Sequence, residues 1–257
     1  MKETGSKINS LEKALALLDL FSEEVASLTL DEIVALSGYS KSTVFRMVSS
    51  FEKFGYLSKV QKGGEMKISL GMRFLEKSRY VSSQLEIKRA AKMPMLQLRQ
   101  KTGLSVQLAV KSGLEAIYIE QFESMKAVRV YPQVGRKVPL YAAACPRVLL
   151  SGLSEKDIRT YIRNQELSSF TEQTLNEKEE LLNEMMKIKE QGYSISKGEL
   201  YSGTLAIAVP IYHPPGHIVA ALSVIGLEQD FETESLEHFL QLLNDASKKI
   251  TDYLTSK

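Results

Sequence analysis

Residues 29–50, TLDEIVALSGYSKSTVFRMVSS, decide how the first part of this chain folds. Thr29 and Glu32 have the spacing of a capping box, which satisfies two free amides of a first helical turn. Leu30, Ile33 and Val34 then fall on one inward face, and Gly38 supplies the left-handed stop that often ends a helix. Ser40 is placed to cap a second helix. Its positions Val44, Met47, Val48 and Phe51 keep the spacing of a buried stripe, while Ser42, Thr43, Phe45, Arg46 and Ser49 lie off it. Two short helices joined by a glycine turn, with polar residues leading the second, are the layout of a helix-turn-helix that sets one helix in a DNA major groove.

The neighbouring sequence extends this reading. Residues 9–21 form an amphipathic helix with Leu11, Ala14, Leu15, Leu18 and Phe21 on one face. Gly55 ends the recognition helix. Residues 56–70 read as a β-hairpin turning at Gly63-Gly64 and carrying Lys59, Lys62 and Lys67. Three helices and a basic hairpin make a winged helix-turn-helix. Arg46 can grip guanine through two bonds, whereas Ser40, Lys41, Ser42, Thr43, Lys59 and Lys62 suit phosphate. Phe45 suits either a thymine methyl group or the rim of the core.

Charge supports a face turned toward phosphate. The 257 residues carry a net charge of only +2, and 44% hydrophobic with 25% charged content is ordinary for a globular protein. Yet residues 40–80 hold nine bases against three acids, a surplus of +6, while residues 1–39 hold three bases against seven acids. A basic segment beside an acidic one fits nucleic-acid recognition. The single cysteine, Cys145, rules out an internal disulfide and suits a reducing cytoplasm. No run approaches a membrane span and no signal peptide is visible, so no membrane partner is expected.

The rest of the chain changes character. Residues 71–101 are helical, with a break expected near Pro94. LSVQLAVKS, LEAIYIEQF and AVRVYPQV read as strands, followed by an apolar stretch at 138–153 whose second half is helical. Residues 155–163 and 174–191 are polar helices. GYSISKG, GTLAIAVPIYH and HIVAALSVIGL are three further strands, the last two joined through Pro214-Pro215-Gly216, and residues 231–254 close the chain as an amphipathic helix. The pattern predicts an α+β fold with a central antiparallel sheet. Its expected domains are residues 1–70, a winged helix-turn-helix, 71–84, a linker helix, and 85–257.

Catalytic and metal chemistry find little footing. No phosphate loop, dinucleotide fingerprint or paired carboxylates are legible, so no cofactor is expected. Cys145 has no evident base and reads as a small pocket or core residue. His213 and His217 flank a turn, not one face of a helix, so no metal site is expected.

In combination, SLEKALALLDLF, KSTVFRMVSSFEKFGYL, the wing ending ISLG, AAKMPMLQLRQKTG, GRKVPLYAAA and GYSISKGELYSGTLAIAVPIY followed by VAALSVIGL resemble the IclR family of bacterial transcriptional regulators over nearly the full length. The resemblance implies an N-terminal winged helix-turn-helix, a linker helix and a C-terminal GAF-like effector domain. It implies operator DNA and a small organic effector as partners, and assembly as a homodimer or dimer of dimers. The implied effector positions are Ala144, Cys145, Ser196, Ala206, Ser223 and Ile225. Pro146 and Arg147 replace the family's usual glycine and lysine, and three polar contacts of the family pattern are changed here, at Ser196, Ala206 and Ile225. The pocket is therefore expected either to take a more apolar ligand or to have lost ligand control. Tyr141 suits a pocket hydroxyl or wall. Arg136 and Arg147 suit an anionic ligand, solvent or a subunit contact. Two functional classes stand against each other: a DNA-binding regulator, and an enzyme or partner-regulated sensor built on the second domain.

Overall fold

The structure is a computed structural model and describes residues 9–22, 24–124, 126, 133–213, 216–232 and 234–256. The chain divides between Gln84 and Leu85 into two units. The first contains α1 (Asn9–Leu18), β1 (Ser27–Leu28), α2 (Leu30–Ser37), α3 (Lys41–Lys53), β2 (Leu57–Lys62), β3 (Glu65–Leu70) and α4 (Arg73–Gln84). Its core joins Leu17, Phe21, Leu28, Ile33, Val44, Val48, Leu57 and Ile68. β2 and β3 pair antiparallel from Leu57↔Leu70 to Lys62↔Glu65 around Gly63 and Gly64, both at positive φ. The short β1, which the sequence pattern did not suggest, adds to β3 through Ser27↔Ser69 and Leu28↔Ile68.

The face expected of α1 is corrected in part: Leu18 packs against the core and Phe21 joins it, but Leu11 and Leu15 do not. Leu17 is buried, whereas Leu11 and Leu15 are 53% and 51% exposed. The helix stops at Leu18, so Phe21 reaches the core from beyond its end and the buried line runs through Leu17.

The second unit is a six-stranded antiparallel sheet in the order β6-β5-β4-β9-β8-β7. The strands are β4 (Ser105–Ser112), β5 (Glu115–Phe122), β6 (Lys137–Pro139), β7 (Ser194–Lys197), β8 (Thr204–His213) and β9 (His217–Leu227). α5 (Glu86–Thr102) and α9 (Leu236–Thr255) cover one face, α6 (Ala144–Ser151), α7 (Glu155–Asn164) and α8 (Lys178–Gln191) the other. Strand alternation builds two different cores. Val106, Leu108, Ile207, Val209, Leu222 and Val224 pack toward α5 and α9. Ala109, Ala206, Ala208 and Ala221 face the other way, and these small side chains let α6 lie close to the sheet.

Two local expectations change. Pro94 does not break α5, because Ala90, Ala91, Met95 and Leu98 bury one helix face on both sides of it. That burial outweighs the roughly 3 kcal/mol disadvantage of an internal proline. The break falls instead at Leu85, which is extended at φ −79° and ψ 92°. In AVRVYPQV, residues 127–132 lie outside the described residues, and Val134 sits in a turn, not a strand. Pro214 and Pro215 also lie outside them, but β8 and β9 pair through His213↔His217.

Candidate functional site

In the first unit the capping box forms. The Thr29 amide donates to Glu32 Oε2 at 2.6 Å and the Glu32 amide to Thr29 Oγ1 at 3.2 Å. Gly38, at φ 69°, donates its amide to the Val34 carbonyl at 3.0 Å and turns the chain toward α3. There Ser40 Oγ accepts the Thr43 amide at 3.3 Å and meets the Thr43 and Ser42 hydroxyls at 2.8 and 3.2 Å. Val44 and Val48 hold α3 from behind. Lys41, Ser42, Phe45 and Arg46 face solvent, with Ser49 half-buried. Phe45 is 56% exposed and belongs to the outward face, not to the core rim.

Two lysines of this face are already paired. Lys41 Nζ lies 2.6 Å from Asp31 Oδ1 and Lys59 Nζ 2.8 Å from Glu52 Oε2. Both pairs are exposed, so each is worth little and can be exchanged for phosphate. Lys62, at the tip of the wing, is exposed beside Gly63.

In the second unit a cavity of about 20 Å³ lies between the sheet and the start of α6. Among the residues around it are Ala144, Cys145, Ser196, Ala206, Ser223 and Ile225. Sheet register explains the grouping: Ser196 pairs with Ala206, Ala206 with Ile225, and Ser223 with Gln107 across neighbouring strands. Tyr141 and Arg147 do not line it, correcting their expected role. Tyr141 is buried in the core and donates its hydroxyl to the Ser168 carbonyl at 2.9 Å. Arg147 is 2% exposed and directed away from the cavity, to Glu199, Ile195 and Ser194.

Several wall residues escaped the sequence reading: Gln107, Tyr118, Val138, Leu200, Tyr201 and Thr204. Gln107 sits where β4 alternation places an inward residue, and a polar side chain there was the available signal. It is 2% exposed, and its Nε2 has no hydrogen-bond partner among the described residues. A buried amide left unpaired calls for a polar partner. Arg136, raised above as one candidate for an anion, does line the cavity, its guanidinium 5.0 Å from the centre of the Tyr201 ring.

The start of α6 is unusual. Ala143 sits at φ 71° and ψ 171°, a conformation essentially reserved for glycine, and supplies no side-chain cap. The amides of Ala144 and Cys145 thus begin a helix at the cavity wall without a side-chain acceptor. Helix-start amides attract anions. Pro146 takes the third helical position, where an amide lacks an intrahelical partner anyway, so it removes little. Burial pushes the Cys145 thiol up to about 12, a rise that a bond with Ser223 only partly offsets. Cys145 is therefore a protonated wall residue. Burial likewise raises the Tyr118 hydroxyl, so it stays a neutral donor.

His213 and His217 face each other across β8 and β9, and among the described residues no group of three His, Cys, Asp or Glu could hold a metal ion. Nor is any described helix long and apolar enough to cross a membrane.

Comparison with known proteins matches both units. The family model described as bacterial transcriptional regulator IclR C-terminal covers residues 79–252, and that of the IclR helix-turn-helix domain covers residues 10–61. The HTH-type transcriptional regulator KipR of Bacillus subtilis is 39% identical over 96% of this chain and 97% of its own. XynR of Escherichia coli, also an HTH-type transcriptional regulator, is 31% identical over 93% of this chain and 94% of its own. An IclR homolog from Microbacterium hydrocarbonoxydans, solved in complex with 4-hydroxybenzoate, superposes with a TM-score of 0.82 at 24% identity, covering 96% of this chain and 100% of that one.

Proposed function

The chain belongs to the IclR family of bacterial transcriptional regulators, and from that premise we propose how its two units divide the work. It is a DNA-binding regulator with a helix-turn-helix domain and a C-terminal effector-binding domain. α3 enters the major groove of an operator. Arg46 and Phe45 read base edges, with Ser42 and Ser49 beside them. Ser40, Lys41, Thr43, Lys59 and Lys62 hold phosphates, Lys41 and Lys59 by releasing their carboxylate partners. The observation that carries this reading is the outward row of α3, fixed from behind by buried Val44 and Val48. A homodimer or dimer of dimers sets two such helices one DNA turn apart, and the protein acts in the cytoplasm.

The second unit takes a small organic acid. The unpartnered Gln107 amide, Arg136 and the uncapped start of α6 supply polar contacts. Tyr118, Val138, Leu200, Tyr201 and Ile225 surround them with largely apolar surface. That favours an acid with an apolar body over glyoxylate or pyruvate. The 4-hydroxybenzoate in the Microbacterium homolog makes a benzoate the natural first probe. An effector shifts DNA affinity only by binding one arrangement of the protein better than another.

DNase protection of the chain's own upstream region, repeated with 4-hydroxybenzoate, pyruvate and glyoxylate, tests both halves. A protected palindromic site that the aromatic acid modulates supports the reading. No protection of any duplex removes the operator role, and strong thermal stabilisation by glyoxylate removes the apolar-ligand role. As for the enzymatic alternative, KipR and XynR are transcriptional regulators, and the buried thiol of Cys145 is protonated at neutral pH.

A further inference from the structure

A cavity of about 20 Å³ has room for one water, so a bound acid requires a wall to move. Most of the wall belongs to sheet strands or to α6, every residue of which is buried. Outside those elements the wall is formed by Arg136, Ala143 and the 198–203 loop between β7 and β8, which contributes Leu200 and Tyr201. One buried pair ties this loop to α6. Arg147 lies one turn beyond Ala143, and both ends of its guanidinium fork reach the Glu199 carboxylate, Nη2 to Oε1 at 2.6 Å. Nη2 also reaches the Ile195 carbonyl at 2.7 Å, and Nε the Ser194 hydroxyl at 3.4 Å. On the other side, Thr174 Oγ1 donates to the Glu199 carbonyl at 2.8 Å and Thr171 Oγ1 to the Gly198 carbonyl at 2.7 Å.

The two ends of the loop's cavity-facing segment are thus held differently. At Glu199 a charge-assisted fork works in a dry environment, where it is strong and geometrically exacting. At Tyr201 the carbonyl accepts the Thr204 hydroxyl at 2.7 Å and the Thr204 amide at 3.3 Å, bonds local to the turn, while the ring reaches the rest of the cavity wall through Arg136 in a half-buried cation–π contact that is weak. Leu200 and Tyr201 are themselves half-exposed.

We infer that Arg147 and Glu199 are positioning residues for effector binding: their buried ion pair latches the inner end of the 198–203 loop to α6, and the Leu200–Tyr201 end swings to admit the ligand. Neither residue lines the cavity. The latch holds the two opposing walls, α6 and the loop, at one separation, so the loop returns to the same closed position after each opening. This rests on the reading of the cavity as the effector site.

The test is amide hydrogen exchange on the full-length chain, free of ligand, with Arg147→Lys, Glu199→Gln and the double variant Arg147→Met/Glu199→Leu. The double variant guards against misfolding, because replacing both members of a buried pair by apolar groups of similar size is often tolerated. Exchange in the peptide spanning 199–203 is expected to quicken roughly tenfold in the double variant, with β4, β9 and α9 unchanged, as for a local opening. Arg147→Lys keeps the charge but not the fork and should fall between. An unchanged loop, or an equal rise across the whole unit, overturns the latch. Binding of 4-hydroxybenzoate gives the second readout: association and dissociation should both be faster in the double variant, and identical rates overturn the proposal. Should that acid and the other small carboxylates leave the wild-type melting temperature unmoved while the loop still responds, the effector reading fails and the latch stands.

Discussion

α3 starts at Ser40, whose hydroxyl takes the Thr43 amide, whereas α6 starts at Ala143, which sits in a glycine-like conformation and caps nothing. The first helix settles its own backbone and presents side chains: Ser42, Phe45 and Arg46 stand in solvent. The second buries its side chains and leaves its leading backbone amides at a cavity. Their arginines follow the same division. Arg46 is exposed on the outward face of α3, while Arg147 is enclosed and fully engaged by Glu199, Ile195 and Ser194. A capped helix end satisfies its own donors and leaves the side chains to face outward, whereas an uncapped one leaves its leading amides without a side-chain acceptor.

The sharpest way to break this comparison is to remove each arginine. Arg147→Ala strands Glu199 in the interior and should destabilise the second unit by about 3–5 kcal/mol. Urea unfolding followed by a probe in each unit would show the loss confined to residues 85–257, and a loss below about 1 kcal/mol would contradict a structural role. Arg46→Ala should leave melting unchanged but lose roughly 1–3 kcal/mol on the cognate operator and much less on random DNA. Equal losses on both duplexes would make Arg46 a phosphate contact. The helix starts can be compared next. Ser40→Ala should weaken the first unit by about 1 kcal/mol, while Ala143→Gly should strengthen the second by roughly 1 kcal/mol through relief of strain. Calorimetry of the two variants would expose a failure as shifts of the same sign. The smallest effect concerns the wing. Lys62→Ala should weaken all DNA modestly and reduce the slope of log affinity against log salt by about 1, and an unchanged slope would keep the wing off the duplex.

Local chemistry made the first unit readable. The Thr29–Glu32 box, the Gly38 turn, the Ser40 cap and the Gly63-Gly64 hairpin each involve residues within a few positions of one another, so sequence spacing alone specifies them. The α1 face was misjudged because its buried side is chosen by what α2 and α3 offer, not by its own periodicity. Leu15 and Leu17 are equally apolar, but only Leu17 meets the core. Pro94 misled for the same reason, since burial along α5 overrode a local helix-breaking preference.

By itself, the sequence determined the helix-turn-helix, the wing and the α+β pattern, and its resemblance to the family supplied six of the wall positions of the second unit. Only the tertiary structure separated Tyr141 and Arg147 from the cavity, placed Arg136 at its wall and brought in Gln107 and Tyr118. Ala144 and Arg147 are three residues apart on one helix, yet one faces a cavity and the other Glu199, fifty-two positions away along the chain. Side-chain direction on a buried helix depends on which strands and loops enclose it. Those neighbours come from distant parts of the chain, so no local spacing encodes the choice.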